Sequence, residues 1–151
     1  TTKGVMNGLK TYRAQLSDTS IGTNGSRIAI NLPVYVDQNR KKAKNDVQQT
    51  MKNYIDALNE MRESSARERE NQILAKGVTR RDRSDLTPDR IIQDYSVVGD
   101  PEECIETIEK FKETFAPQEI MCWFNIGGLL PDEDVVRSMT LFAEKVAPHF
   151  K

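Results

Sequence analysis

Histidine, cysteine and long apolar runs are scarce or missing in this sequence, and each scarcity removes a class of function. One histidine, His149, and two cysteines, Cys104 and Cys122, cannot build a Cys/His zinc cluster or a disulfide framework. So few cysteines suit a reducing, cytoplasmic setting. No apolar run reaches the length of about 18 residues that a transmembrane helix needs, so no membrane partner is expected. Thr1 to Lys10 is small, polar and mixed, unlike a signal segment. The Gly-x-Ser-x-Gly elbow, the P-loop and the Gly-x-Gly-x-x-Gly fingerprint are all missing. His149 follows the final proline and reads as a surface tail residue. Apolar residues are also few, at 37% of 151, while 30% are charged. Counted with Gly and without Tyr the apolar share is roughly 40%, below the roughly 45–50% usual for globular chains. The length fits one domain. Either its helices carry unusually charged outer faces, or part of its core is missing.

Charge is unevenly placed around a net of -1. Residues 1–98 hold 17 Lys and Arg against 12 Asp and Glu, and residues 99–151 hold 5 against 11. Two basic groups, Arg40-Lys41-Lys42 with Lys44 and Arg80-Arg81 with Arg83, are interleaved with Asp37, Asp46, Asp82 and Asp85 and lack aromatics to stack on bases. A solvated surface explains them, and no nucleic-acid partner is expected.

The periodicity gives a coarse order of elements. Val5, Met6, Leu9, Tyr12 and Leu16 have helical spacing, and Ser17 to Ser26 is turn chemistry. Ile28 to Val36 reads as a parallel strand apolar on both faces. Pro33 cannot donate to a ladder, so a bend, bulge or edge position is expected there. From Asp37 onward Ala43, Val47, Met51, Tyr54, Ile55, Leu58 and Met61 predict one helix of about five turns. Beyond Met61 the apolar stripe fades, and residues 62–86 read as either a solvated helix or a charged connector or lid-like loop. Thr87-Pro88 starts a short helix through Ile91, Ile92 and Tyr95. Asp100-Pro101-Glu102-Glu103 starts another, with Cys104, Ile105, Ile108, Phe111 and Phe115 inward. Cys104 is therefore a small core residue. Glu119 to Asn125 is the second strand, needing both faces covered, with Cys122 facing the same way as Ile120 and Phe124 and Met121 the same way as Trp123. The last helix starts after Pro131 and turns Val135, Val136, Met139, Phe142, Ala143 and Val146 inward.

Strands joined by long helical crossovers imply parallel α/β architecture. Two strands cannot close a sheet, since a parallel barrel needs eight and a doubly wound sheet about five or six. In such folds function sits at the carboxyl ends of the strands, which here is Phe124-Asn125-Ile126-Gly127-Gly128-Leu129-Leu130-Pro131. Asn125 offers a donor and an acceptor. Gly127 and Gly128 let the backbone approach a ligand or take positive φ, and the helix start beyond offers N–H groups to an anion. A plain strand-to-helix turn would use the same residues. The carboxylate pairs Glu102/Glu103 and Asp132/Asp134 fit helix first turns without acid–base work.

Val97-Val-Gly-Asp-Pro-Glu-Glu-Cys-Ile-Glu-Thr-Ile108, the strand ending Asn125-Ile-Gly-Gly-Leu-Leu-Pro131, and Val135-Val-Arg-Ser-Met-Thr-Leu-Phe-Ala-Glu-Lys-Val-Ala-Pro-His-Phe150 together resemble the carboxy-terminal end of the luciferase-like flavin-dependent monooxygenases. Leu32-Pro-Val-Tyr-Val36 and the polar helix after it are similar to the preceding segment of that family, with less specificity. The resemblance implies an α/β fold: the carboxy-terminal portion of a TIM (β/α)8 barrel, incomplete in this chain, spanning 1–151 as one segment. Ile28 to Val36 would be about the seventh strand and Glu119 to Asn125 the eighth. Thr1 would start after most of the barrel, and Pro148 to Lys151 looks like a natural end. The resemblance also implies reduced FMN, or F420 in a sister branch, with O2 and a small organic substrate, a homo-oligomer and a possible flavin reductase partner. No catalytic residue carries over, because the family's catalytic positions lie on earlier strands. Asn125, Gly127 and Gly128 would be cofactor-binding residues at the mouth. Arg80, Arg81 and Arg83 read as a solvated loop, with contact to a flavin phosphate as the alternative.

Overall fold

The computed structural model describes residues 2–17, 28–75 and 86–150. Its elements are α1 (Thr2–Ser17), β1 (Ala29–Val36), α2 (Arg40–Asp46), α3 (Gln48–Ala75), α4 (Pro88–Asp94), β2 (Val97–Gly99), α5 (Pro101–Phe115), β3 (Glu119–Trp123), α6 (Asp132–Lys145) and a closing 3-10 turn (Ala147–Phe150). The expected turn at Ser17 to Ser26 lies almost wholly outside the described residues. So does the Arg80-Arg81-Arg83 group.

Side chains cap the helix starts as the residue types dictate. Asn39 accepts from the amides of Lys41 and Lys42, Thr87 from Arg90 and Asp100 from Glu103. Pro88 and Pro101 occupy first-turn positions where no N–H is needed. Ala116, in the left-handed region at φ 44°, ends α5 before Pro117.

The sheet has three parallel strands in the order β2-β1-β3, one more than expected. Val97 to Gly99 was expected only as the approach to a helix cap, and three residues are too few to show a strand period. Ala29 to Pro33 pair with Glu119 to Trp123, and Val34 to Val36 pair with Val97 to Gly99. Pro33 therefore lies in the central strand rather than at an edge. The amide of Asp37 donates to Gly99 O on the β2 side, so by alternation Pro33 also faces that side, where β2 does not yet reach. Its missing donor is missing nowhere that matters. By the same alternation the Val36 N–H points toward β3 beyond that strand's pairing, and the buried Ser138 hydroxyl accepts it at 2.7 Å.

The two faces of the sheet are clothed differently. On one, Leu32, Val34, Val36 and Val97 pack with Cys104 and Ile108 of α5 and with Phe142 and Val146. Cys122, Ile120 and Phe124 join this side, as the alternation predicts. On the other, α2, α3 and α4 cover only the carboxyl end, where Tyr35 and Val98 meet Ala43, Val47, Met51, Ile91 and Ile92. The amino-terminal half of that face is bare, with Ala29 and Asn31 exposed, Met121 58% exposed and Trp123 42% exposed. The strands are thus not covered on both faces as expected.

Two helices also differ from their periodicity. The single helix expected from Asp37 is split at Val47 into α2 and α3. Ala43, Val47, Met51 and Ile55 keep one apolar stripe across the junction, so spacing alone did not show the break. α3 then continues as helix through Ala75, which is the solvated-helix alternative for the first part of the charged stretch. In α6, Val136, Met139 and Ala143 point outward rather than inward. The bond from Val36 to Ser138 fixes that helix with Val135, Ser138, Phe142 and Val146 toward the protein. Val5, Met6 and Tyr12 of α1 are likewise exposed. No helix among the described residues is long and apolar enough to cross a membrane.

Candidate functional site

At the carboxyl end of β3 the chain turns through Phe124 to Pro131. Asn125 organises this turn: its backbone oxygen accepts from Gly128 N at 3.2 Å and its side-chain Oδ1 from Leu130 N at 3.3 Å. Gly127 and Gly128 both have positive φ, 81° and 72°. They differ in what surrounds them. A Cβ on Gly127 would lie 2.8 Å from the carbonyl carbon of Thr50 and closer still to its oxygen, whereas one on Gly128 would meet nothing within 4 Å.

The first turns of α3 clamp this turn. The buried Thr50 hydroxyl donates to Ile126 O and accepts from Leu129 N at 3.3 Å, and Asn53 Nδ2 donates to Gly127 O at 2.7 Å. One turn further along α3, the Tyr54 ring meets Trp123 edge to face with centroids 5.6 Å apart. Pairing in register puts Pro33 beside Trp123 and Asn31 beside Met121 on the bare face. Helix, turn and open sheet face thus meet in one mouth.

A second polar centre lies at the end of β1. The Asp37 carboxylate, 11% exposed, accepts from Asn39 N at 2.9 Å and Lys42 Nζ at 3.1 Å, with Arg137 Nη2 at 3.5 Å. Burial pushes this carboxyl up, but the Asn39 amide and the cations outweigh it and hold it below the ordinary range. Lys42 also pairs with Asp46, which accepts the Tyr35 hydroxyl at 2.9 Å. Burial first, then that acceptor, pushes the Tyr35 phenol up to about 12. Beside it Arg40 holds Asp100 at 2.9 Å and Lys44 holds Glu103 at 2.7 Å. Glu103 Oε2 accepts no well-aligned bond although Arg40 Nε is 3.2 Å away. Arg40, Lys42 and Lys44 of the first-named basic group are therefore paired with acids of their own protein. Among the described residues no cluster of three or more His, Cys, Asp or Glu could hold a metal.

The structure brings Asn125, Gly127 and Gly128 together, and it accounts for Gly127 by close packing on α3. Sequence reasoning missed Thr50, Asn53 and Asp37. Thr50 and Asn53 stood in a stripe read only for its apolar members, and Asp37 was read as the start of a polar stretch and as one of the acids among the basic residues, not as a centre that gathers Lys42 and Arg137. His149 is exposed, as expected. Cys104 is fully buried and its thiol is pushed up to about 12, chiefly by that burial.

The family model for luciferase-like monooxygenases matches residues 3–118. The match takes in β1, β2 and the Gly99-Asp100-Pro101 helix start, and stops before β3 and the glycine turn. No curated protein matches the chain. Among solved structures the monooxygenase RslO1 from Streptomyces bottropensis is similar, with 24% identity and a TM-score of 0.64 over 99% of this chain. That similarity concerns the fold, and it reaches β3 and α6. The chain spans 39% of that protein's length.

Proposed function

Because the chain belongs to the luciferase-like monooxygenase family, we propose that it is the carboxy-terminal portion of a (β/α)8 barrel oxidoreductase that acts on a small organic substrate with reduced FMN and O2. The observation that carries this reading is the half-clothed sheet. Three parallel strands are packed by helices on one side, while Met121 and Trp123 stand exposed on the other. The remaining strands of such a barrel would turn that bare face into its interior, and the carboxyl end of β3 would join the rim where such barrels do their chemistry.

Reduced flavin, when bound, supplies the electrons with which O2 is split between substrate and water. FMN, or F420 in its place, would meet this chain at one wall of its site. Gly128, open and at positive φ, lets backbone approach the cofactor, and Asn125 keeps its side-chain NH2 group to donate while its Oδ1 holds the turn. Gly127 keeps the turn against α3. Arg40, Lys42, Lys44 and Arg137 are ion-paired within the chain. The catalytic residues, the phosphate grip and any contact with a flavin reductase belong in this reading to the rest of the barrel. Fluorescence titration tests it: this chain alone should bind FMN more weakly than micromolar. Micromolar or tighter binding would place most of the pocket here and overturn the division. Further strand–helix repeats should be encoded upstream of Thr1, and a gene product no heavier than 17.2 kDa would refute the barrel reading.

A second reading, an interaction module that self-associates, rests on the edge position of β3 in the sheet of the described residues and on the exposed Leu129, Val136 and Met139. Sedimentation should show a homo-oligomer. A compact monomer at high protein concentration excludes this reading.

A further inference from the structure

The bare sheet face has a composition that selects among substrates. Its row nearest the mouth is Pro33 beside Trp123, and the row below is Asn31 beside Met121. Neighbouring positions on such a grid lie roughly 4.8 Å apart across strands and about 6.6 Å apart along them. Tyr54 meets the Trp123 ring at 78°, and α3 is fixed in place by the Thr50 and Asn53 bonds. None of these five residues is charged. The acid on this face, Glu119, lies beside Ala29 at the far end of the strands. Asn31 lies diagonally from Trp123 on this grid, roughly 8 Å away, within reach of a substituent on a fused ring laid on Trp123.

Resting on the monooxygenase reading above, we propose that the Tyr54–Trp123 corner, with Met121 and Asn31, makes this site select a neutral, planar aromatic substrate bearing a hydrogen-bonding oxygen. Burial alone does not choose, because an aromatic ring and its saturated counterpart remove similar apolar area from water. The choice comes from contacts that only a π system makes: stacking or edge-to-face packing on indole and phenol, and the thioether against a ring. Two such partners give a preference of about tenfold. Asn31, an uncharged donor and acceptor of the wall, reads the oxygen.

Trp123 is the sole tryptophan, so its indole Nε1–H gives one NMR cross-peak that reports on this corner without any turnover. The full chain is titrated separately with 2-naphthol, with its saturated counterpart 2-decalol, and with FMN. The cross-peak should move with 2-naphthol at a half-saturation about tenfold below that for 2-decalol. In Tyr54→Leu, which keeps the reporter and one of the two aromatic partners, the preference should fall to about threefold. Asn31→Leu should weaken 2-naphthol binding and leave naphthalene binding unchanged. Equal half-saturation for the two compounds, or no movement with 2-naphthol, overturns the proposal. A shift with FMN but not 2-naphthol overturns it while leaving the flavin reading in place. The naphthol preference without any FMN response at any concentration supports the proposal and counts against the flavin reading.

Discussion

The two glycines of the β3 turn are adjacent, share positive φ and differ sharply in surroundings, so alanine at each isolates one physical effect. At Gly128 a Cβ meets open space, and Gly128→Ala carries only the left-handed backbone cost of about 1–2 kcal/mol. Gly127→Ala carries the same cost and a collision with the Thr50 carbonyl. Relief requires the turn to withdraw from α3. That movement gives up the bond from Asn53 to Gly127 O and the bonds joining Thr50 to Ile126 and Leu129. Exposed bonds are worth about 1 kcal/mol each, and the buried Thr50 hydroxyl left unpaired adds about 1–3 kcal/mol. The expected loss for Gly127→Ala is therefore about 4–6 kcal/mol, roughly 3 kcal/mol beyond Gly128→Ala. Urea unfolding followed by Trp123 fluorescence measures both. With a slope of about 2 kcal/mol per molar, the midpoints should differ by roughly 1.5 M. Equal midpoints, or a lower one for Gly128→Ala, would refute the reasoning, because backbone conformation alone would then explain the glycine pair.

Three further expectations follow from the polar contacts. The folded Asp37 carboxyl lies below its unfolded value near about 3.9, so its stabilisation is complete above about pH 5 and fades as pH falls through the folded value. The stability gap between the native chain and Asp37→Asn should therefore be wide at about pH 6 and shrink as pH falls below the unfolded value of about 3.9, and it should be narrower in high salt because Lys42 and Arg137 are half exposed. A gap independent of pH would contradict this. Cys104, buried and with its thiol pushed up to about 12, should resist iodoacetamide at about pH 8 until urea unfolds the chain, as mass spectrometry of the labelled peptides would show. Ser138→Ala should cost about 1–3 kcal/mol by orphaning the Val36 amide, which should also exchange hydrogen faster. Unchanged exchange at Val36 would count against that bond.

Local chemistry was legible wherever a residue type has one good use. Asp100-Pro101 and Thr87-Pro88 announced helix starts, and the structure has caps at both. Alternation sorted Cys122 from Met121 and Trp123. The approach of Gly127 to Thr50 was hidden, because it joins segments 77 residues apart. The Asp37 and Asp100 clusters were hidden likewise, since charge along a sequence does not say which cation meets which acid.

The sequence by itself determined the parallel α/β character, the positions of β1 and β3 to within two residues at their ends, the carboxyl-end turn and the resemblance to luciferase-like monooxygenases. Periodicity and capping are local, so a single chain segment carries them. Only the tertiary structure decided that β2 exists, that β1 is central with Pro33 tolerated inside it, that Ser138 turns Val136 and Met139 outward, and that one sheet face stands open beside Tyr54. Each of these depends on which backbone groups find partners across the sheet, and that pairing exists only when distant segments meet.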